Sequence, residues 1–227
     1  MAQEHKPSRW TRQLRGLYAV TPDIDDIAQL VAKVEAAIAG GAQAVQYRNK
    51  TASTSLKHKQ AAMLARVCGG RGALFIVNDD VALAREVGAA GVHLGEDDGD
   101  IGRARERLGQ HMLIGVSCYD DLARAKRLVA EGADYVAFGT FFPSPTKPDA
   151  RRAELSLLRR ARTLKVPVVA IGGITATNAR ALVAAGADAL AVISDVFDHA
   201  SLVDVARAAA AIVACFDPDP DPETVTR

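Results

Sequence analysis

Eight short apolar segments recur along the chain, and each is followed by a stretch with the composition of a helix. The segments are continuous apolar runs rather than alternating ones, which is typical of strands buried on both faces. Strict alternation of strand and helix predicts a parallel sheet, and eight such units in about 200 residues predict that the sheet closes into a barrel. The predicted strands cover residues 17–21, 44–48, 74–78, 91–95, 112–117, 135–139, 166–171 and 189–193.

We therefore predict an α/β fold, a single (β/α)8 TIM barrel over residues 14–215, with short flexible tails on either side. An open doubly wound sheet is the alternative, but the first strand–helix turn has no Gly-x-Gly-x-x-Gly phosphate loop. Residues 1–13 are charged and are expected to form an N-terminal tail. Residues 216–227 alternate acids with prolines, which predicts a disordered acidic tail.

The start of the first helix carries two candidate capping residues. The side chains of Thr21 and Asp23 can each accept a hydrogen bond from a backbone amide in a first helical turn, and Pro22 suits the first helical position. We therefore expect the helix to begin immediately after the first strand.

Composition excludes several classes of protein. A net charge of +1 over 227 residues gives no electrostatic reason to expect a nucleic-acid or membrane-surface partner. No apolar run approaches the roughly twenty residues of a membrane span, and residues 1–15 lack the apolar core of a signal peptide. The three cysteines are far apart and fit neither a disulfide framework nor a zinc site. We expect a cytoplasmic protein that acts on small molecules, and a homo-oligomer is compatible with the sequence.

The second strand ends in the cationic motif Gln46-Tyr-Arg-Asn-Lys50. Alternate residues of a strand share a face, so Gln46, Arg48 and Lys50 are expected to point the same way. Two cations are costly to bury without partners, whereas at the mouth of a barrel they form a receptor for a polyanion such as a phosphate. The alternative is a strand end that frays into a solvated loop.

Acidic residues follow the next two strands. Active sites of such barrels lie at the carboxyl ends of the strands, where Asp79 and Asp98 could share a Mg²⁺ ion. Either Asp79 or Asp80 can instead cap the following helix while the other binds metal. Asp97 competes with Asp98 for the role of second ligand.

The seventh strand ends in Gly172-Gly173, and the eighth ends at Ser194. Loops at these two positions often form a monophosphate site in this fold, although a plain tight turn is the alternative reading of the glycines. One rim would then hold a diphosphate site and a monophosphate site, as in a transferase that joins two phosphorylated small molecules. We expect His93 to be a packed, hydrogen-bonded barrel residue and Cys118 an inert thiol.

Seven motifs, in order, resemble those of the thiamine phosphate synthase family. The resemblance spans residues 17–194 and implies a Mg²⁺-dependent transferase of an alkyl or aryl group other than methyl. It implies that hydroxymethylpyrimidine diphosphate and a thiazole phosphate, or its carboxylated form, condense to thiamine phosphate and diphosphate. The motifs are Gln46-Tyr-Arg-Asn-Lys50, Asn78-Asp79, Gly91-Val-His-Leu-Gly-Glu-Asp-Asp98, Gly115-Val-Ser117, Pro143-Ser-Pro-Thr-Lys147, Ile171-Gly-Gly-Ile174 and Val192-Ile-Ser194.

The resemblance also implies roles for individual residues. The pyrimidine diphosphate would be bound by Gln46, Tyr47, Arg48, Asn49, Lys50, Asn78, Ser117 and Lys147, among which Arg48, Lys50, Ser117 and Lys147 would be catalytic. The thiazole phosphate would be bound by Ser144, Pro145, Thr146, Gly172, Gly173, Ile193 and Ser194, and Mg²⁺ by Asp79 and Asp98. The implied mechanism is dissociative: diphosphate leaves first, and the thiazole nitrogen then captures a pyrimidine methylene cation.

Two rival functions remain. A thiazole tautomerase-like paralogue would not need the cationic pair Arg48 and Lys50 together with the acidic pair Asp79 and Asp98. A non-catalytic phosphate-binding protein would keep Gly172-Gly173 without a metal site. Release of diphosphate that depends on Mg²⁺ distinguishes the synthase from both.

Overall fold

The computed structural model describes residues 11–96, 100–143 and 152–217. Eight parallel strands close into a barrel in chain order, with β1 paired to β8, so the predicted (β/α)8 fold is confirmed. The strands are β1 (Gly16–Val20), β2 (Ala44–Tyr47), β3 (Leu74–Asn78), β4 (Gly91–Leu94), β5 (Leu113–Tyr119), β6 (Tyr135–Phe138), β7 (Val168–Ile171) and β8 (Ala189–Val192).

Helices surround the barrel and connect successive strands. They are α1 (Ile27–Ala39), α2 (Thr54–Gly70), α3 (Val81–Glu86), α4 (Ile101–Leu108), α5 (Leu122–Ala130), α6 (Leu155–Ala161), α7 (Ala179–Ala185), α8 (Ser194–Phe197) and α9 (Leu202–Val213). The short helix α8 directly follows β8 and precedes the longer α9. In the described part of the chain, no helix combines the length and the apolar character needed to cross a membrane.

The two predicted tails lie mostly outside the described residues. Thr11–Gln13, which we expected within the N-terminal tail, form a short 3-10 helix. Leu14 is fully buried in the barrel interior. At the other end, Ala214–Phe216 form a further 3-10 turn whose Cys215 is buried.

Helix α1 begins later than we expected. Asp26, not Thr21 or Asp23, is the N-cap, and its carboxylate accepts a hydrogen bond of 3.0 Å from the amide of Gln29. Thr21 is instead hydrogen-bonded to the backbone of Arg48, which holds residues 21–26 as a loop at the rim of the barrel. Pro22 therefore lies in this loop and not in the first turn of α1.

Two apolar layers stabilise the barrel. Outward-facing strand residues pack under the helices in one continuous core. Inward-facing residues, including Tyr18, Leu74, Ile76 and Tyr135, fill the barrel interior, as alternation along each strand requires. The filled interior closes the amino-terminal side of the barrel and leaves the carboxyl ends of the strands open for a site.

Candidate active site

A cavity of about 1150 Å³ opens at the carboxyl ends of the strands. Every strand or the loop that follows it contributes to the lining, as the fold predicts for an active site. Charged side chains come from the loops after β2 to β5 and from the β8 loop, whereas the β6 and β7 ends supply glycines, apolar groups and two threonines. The residues predicted from the sequence that line it are Gln46, Arg48, Lys50, Asn78, Asp79, Ser117, Gly172, Gly173, Ile193 and Ser194.

The cationic wall of the cavity is formed by Arg48 and Lys50. Both side chains share the cavity-facing side with Gln46, in agreement with the predicted alternation. The backbone that carries them is fixed by the buried Thr21, whose hydroxyl donates to the carbonyl of Arg48 and accepts from its amide. Asp23 accepts a hydrogen bond from the amide of Lys50 at 3.0 Å. The two cations are therefore held on a supported strand end and not on a frayed loop.

Tyr47 and Asn49, for which the family resemblance implies a binding role, do not line this cavity, and that role stays a prediction. The Tyr47 hydroxyl donates to Gln60 on α2, and burial raises the pKa of this phenol. The Asn49 amide donates to Ile24 and Gln60, while its carbonyl oxygen accepts from the amides that follow. Alternation turns both residues outward, where they anchor the loop that carries Lys50.

Asp80, and not Asp79, is the residue of this pair that caps the following helix. The carboxylate of Asp80 caps α3 by accepting from the amide of Leu83 at 2.9 Å. Asp79 lines the cavity and has a left-handed backbone conformation with φ of 64°. Such a conformation is uncommon outside glycine, and Asp and Asn are among the residues that tolerate it best. The turn that directs Asp79 into the cavity therefore suits an acidic residue.

The acidic side of the cavity offers oxygen ligands of the kind that Mg²⁺ prefers. Asp79 is joined there by Glu96, which follows β4. Asp97 and Asp98 lie outside the described residues, and among those described no cluster of three or more metal-binding side chains occurs. Mg²⁺ commonly takes one or two protein carboxylates and completes its shell with water and phosphate oxygens. The two described carboxylates, of Asp79 and Glu96, lie at the cavity together with the cationic wall, which fits this pattern.

A hydrogen-bonded chain of side chains crosses the floor of the cavity. Gln46 Nε2 donates to the Tyr18 hydroxyl at 2.9 Å, and the hydroxyls of Tyr18 and Tyr135 are 2.9 Å apart. His93 continues the chain, with Nδ1 3.0 Å from the Tyr135 hydroxyl and Nε2 2.9 Å from Ser117 Oγ. Burial raises the pKa of both tyrosines, so their hydroxyls keep their protons. His93 is thus the hydrogen-bonded barrel residue that we expected.

Cys118 points away from this floor and is fully buried. Burial raises the pKa of its thiol to about 12. A thiol with so high a pKa has almost no thiolate at neutral pH and is a poor nucleophile. This agrees with the inert thiol predicted from the sequence.

The glycine pair after β7 lies close to the neighbouring β6 loop in the cavity wall. Gly172 and Gly173 have φ angles of 103° and 63°. A Cβ atom at Gly173 would lie 2.2 Å from the carbonyl oxygen of Pro143, and one at Gly172 would lie 2.4 Å from the Thr140 side chain. Both positions therefore require glycine for contacts within the protein, and the role of the pair in binding a phosphate stays a prediction.

The β8 loop is tied to its surroundings on both sides. The carboxylate of Asp195 accepts a hydrogen bond from the amide of Ala176 in the β7 loop. Lys33 of α1 donates to the carbonyls of Phe197 and His199 at 2.7 and 3.0 Å. These bonds hold α8 with its first residue, Ser194, at the cavity beside the glycine pair.

Sequence reasoning missed several residues of the site. Tyr18 and Tyr135 look like ordinary apolar strand residues, and only the closed barrel brings their hydroxyls together across 117 positions of sequence. Arg124 lines the cavity, and its Nε donates to the carbonyl of Ser117 at 3.0 Å. Its place in the first turn of α5, directly after the β5 rim, was the available signal.

Besides Asp98, four predicted residues cannot be placed in the cavity. Ser144, Pro145, Thr146 and Lys147 belong to residues 144–151, which lie outside the described part of the chain. Pro143 lines the cavity immediately before this segment. The roles inferred for the four residues stay predictions.

Residues 17–196 match the family model described as thiamine monophosphate synthase. The chain is 56% identical over 198 residues to the thiamine-phosphate synthase of Chromobacterium violaceum, covering 87% of this chain and 96% of the relative. It is 52% identical over 207 residues to that of Thiobacillus denitrificans, covering 91% and 97%. Among solved structures, the thiamine phosphate pyrophosphorylase from Pyrococcus furiosus has a TM-score of 0.79 and 36% identity, covering 90% of this chain and 96% of that chain.

Proposed function

The chain belongs to the thiamine monophosphate synthase family, and we propose that it condenses two phosphorylated rings into thiamine phosphate. The substrates are 4-amino-2-methyl-5-hydroxymethylpyrimidine diphosphate and 4-methyl-5-(2-phosphooxyethyl)thiazole or its 2-carboxy form. The products are thiamine phosphate and diphosphate, and the 2-carboxy form would release carbon dioxide as well. The relatives named thiamine-phosphate synthase are transferases. What we propose for this chain is the identity of its two substrates and the order of the chemical steps.

One observation carries the proposal: a single cavity has two separate regions suited to anions. Arg48 and Lys50 form a cationic region next to the carboxylate of Asp79. Gly172, Gly173 and Ser194 form a second region at the β7 and β8 ends, built from backbone and a hydroxyl. A diphosphate suits the first region and a monophosphate the second. A condensation of two such substrates uses both.

The pyrimidine diphosphate is assigned to the β2, β3 and β5 ends. Arg48 and Lys50 take the diphosphate oxygens, with Lys147 as a further predicted cation. Gln46, Asn78 and Ser117 hold the pyrimidine ring over the cavity floor. Tyr47 and Asn49 support the loop from outside, because their side chains are already engaged by α2 and the β1 loop.

Mg²⁺ is assigned to Asp79 together with Asp98, with Asp97 as the alternative to the latter. When bound there, the ion would neutralise charge that builds up on the diphosphate as it leaves. Asp79 fits this role because Asp80 is already used as a helix cap. The ligand set proposed from the chain is thus one carboxylate from the β3 end and one from the β4 loop.

The proposed mechanism breaks the bond between the pyrimidine methylene carbon and the diphosphate oxygen first. The electron pair leaves with the diphosphate, where Arg48 and Lys50 stabilise the added charge. The thiazole nitrogen then donates its lone pair to the methylene cation, which forms the new carbon–nitrogen bond. No proton needs to be transferred in these two steps, so no general base is required. The assignment of His93 to the cavity floor is consistent with that requirement.

Growth of a bacterial strain that lacks thiamine-phosphate synthase tests the proposal. Expression of this chain should restore growth on medium without thiamine, and the variant Arg48→Ala should not. The matched control Arg71→Ala, which removes an exposed arginine paired with Glu35, should restore growth like the unaltered chain. A folded protein that fails to restore growth would favour the tautomerase-like or the non-catalytic reading.

A further inference from the structure

Arg124 is a cavity residue that has no role in the mechanism proposed above. It lies in the first turn of α5, directly after the end of β5, and it is partly buried. Among the described residues, the lysine and arginine side chains that line the cavity are those of Arg48, Lys50 and Arg124. The first two follow β2, whereas Arg124 follows β5, three strands further round the barrel. The cavity therefore has a second cationic point, apart from the cationic wall.

One edge of the Arg124 guanidinium is fixed to the protein. Its Nε donates to the carbonyl oxygen of Ser117 at 3.0 Å, and Ser117 itself lines the cavity. Within the described part of the chain, no group accepts a hydrogen bond from Nη1 or Nη2 of Arg124. A guanidinium carries further N–H donors on these two atoms in a planar fork. The side chain is thus oriented in advance, with its fork of donors unused.

The neighbouring carboxylates do not neutralise this cation. The carboxylate of Asp121 accepts hydrogen bonds from the amides of Ala123 and Arg124 at 2.8 and 2.9 Å, which caps α5. Asp120 is exposed, and no ion pair joins either acid to Arg124. Partial burial removes water from a cation, and this cost is offset only when the cation gains a partner. The setting of Arg124 therefore favours a bound anion.

The order of the strand ends indicates which anion Arg124 meets. Asp79 and Glu96 line the cavity after β3 and β4, which lie between the β2 and β5 ends. The ends of β2 to β5 thus form a charged arc, with cations at both limits and carboxylates between them. Among the described residues, the β6 and β7 ends supply no charged side chain to the lining. A diphosphate bound along this arc through Mg²⁺ at the acids would present oxygens to both cationic limits.

We propose that Arg124 is a further substrate-binding residue, which donates from Nη1 and Nη2 to oxygens of the diphosphate on the side away from Arg48 and Lys50. The inference rests on the proposed function, because the pyrimidine diphosphate is assigned to the same strand ends. The two parallel donors of the fork match the spacing of two phosphate oxygens. Arg124 then holds the diphosphate from the β5 side, while its Nε fixes the backbone of Ser117 beneath the ring.

A purely structural role for Arg124 is the alternative, because its Nε hydrogen bond ties α5 to β5. Glutamine in its place is a neutral hydrogen-bond donor, and lysine is a donor that keeps the charge. The variants Arg124→Gln and Arg124→Lys therefore separate the charge from the capacity to donate. The matched control is Arg127→Gln, because Arg127 lies on the same helix, is exposed and is paired with Glu131. This control removes an equal charge outside the cavity.

Calorimetric binding of inorganic diphosphate in the presence of Mg²⁺ tests the proposal without any need for turnover. Arg124→Gln should raise the dissociation constant about thirtyfold, as expected for the loss of hydrogen bonds from a charged donor. Arg124→Lys should raise it no more than about fivefold, because the charge remains. Arg127→Gln should change it by less than about twofold. Denaturant unfolding shows that each variant is folded, and Arg124→Lys against Arg127→Gln remains informative if Arg124→Gln is not.

Three results would overturn the inference. They are an unchanged dissociation constant in Arg124→Gln, an equal loss in Arg124→Gln and Arg124→Lys, and a loss in Arg127→Gln as large as that in Arg124→Gln. The proposed function is tested separately, by formation of thiamine phosphate with the unaltered protein. Unaltered protein that forms thiamine phosphate, together with any of these three results, shows that the inference alone has failed. Unaltered protein that forms none overturns the proposed function before any variant is made.

Discussion

Asp23 and Arg48 form an ion pair at the rim of the cavity, with Oδ1 of Asp23 3.5 Å from Nη1 of Arg48. The same oxygen accepts the amide hydrogen of Lys50. Both side chains are partly solvated, and an ion pair of this length in such a setting is worth little. The guanidinium is therefore held near its working position by a contact that a diphosphate can replace.

Replacement of Arg48 by lysine tests whether the planar guanidinium matters or only its charge. Arg48→Lys should lower kcat/KM for the pyrimidine diphosphate by about tenfold or more, because lysine cannot offer two parallel donors to phosphate oxygens. Steady-state kinetics with the thiazole phosphate at saturation measures the effect. Arg71→Lys, at an exposed ion pair with Glu35, is the control and should have no effect. Equal kcat/KM for Arg48→Lys and the unaltered enzyme would remove the bidentate role.

Substitutions at the adjacent residues Asp79 and Asp80 should have different effects, one on activation by Mg²⁺ and the other on the stability of the fold. Asp79→Asn keeps a residue that tolerates the left-handed backbone, so the fold should be retained while activation by Mg²⁺ is lost. Asp80→Ala removes the cap of α3 and should lower the free energy of unfolding by about 1 kcal/mol while activity is retained. Titration of activity with Mg²⁺ and denaturant unfolding measure the two effects. The opposite pattern would exchange the roles of the two residues.

Addition of one methyl group at Gly173 should damage the proposed monophosphate region. Gly173→Ala places a Cβ atom against Pro143 at a φ of 63°, so the β7 loop must move. Loss of one backbone hydrogen bond to a charged phosphate should raise KM for the thiazole phosphate about tenfold, with a smaller effect on the pyrimidine diphosphate. Gly69→Ala is the control, because this exposed position in α2 has open space and should be neutral or stabilising. An equal rise of both KM values would argue against a separate monophosphate region.

The buried thiols should make the protein less stable in alkali. Burial raises the pKa of Cys68 and of Cys118 from 9.0 to about 12, so the folded state binds more protons than the unfolded state between these values. The contribution of the protonated thiols to the free energy of unfolding is therefore fully present below about pH 9, and it decreases as the pH rises above that value. Each thiol should contribute a loss approaching about 1.4 kcal/mol per pH unit, and the raised tyrosine pKa values add to the loss above about pH 10.

Urea unfolding at a series of pH values between about 8 and 11 measures this decline. Cys118→Ala removes one of the two thiols and should make the decline shallower than in the unaltered protein. A free energy of unfolding that stays constant over this range would show that the thiols titrate normally in the folded state.

The sequence predicted the barrel because its strands and helices are separated by clear changes in pattern. It also predicted the shared direction of Gln46, Arg48 and Lys50, since alternation along a strand depends only on neighbouring residues. The same alternation turns the Tyr47 side chain outward, where its hydroxyl donates to Gln60, and the binding role that the family resemblance implies for this residue stays a prediction.

The remaining features depend on contacts between distant parts of the chain. Thr21, Asp23 and Asp26 are all plausible caps locally, and the hydrogen bonds of Thr21 to Arg48 decide that Asp26 begins α1. Tyr18 and Tyr135 meet only after the barrel closes. No local pattern distinguishes a tyrosine that fills a core from one that continues a hydrogen-bonded chain.

Release of diphosphate by the purified protein is the most direct measurement of the central claim. With the pyrimidine diphosphate, the thiazole phosphate and Mg²⁺ all present, we predict one diphosphate for each thiamine phosphate formed. EDTA should abolish both products. Folded protein that binds both substrates but releases no diphosphate, or that forms thiamine phosphate equally well with EDTA, would contradict the account.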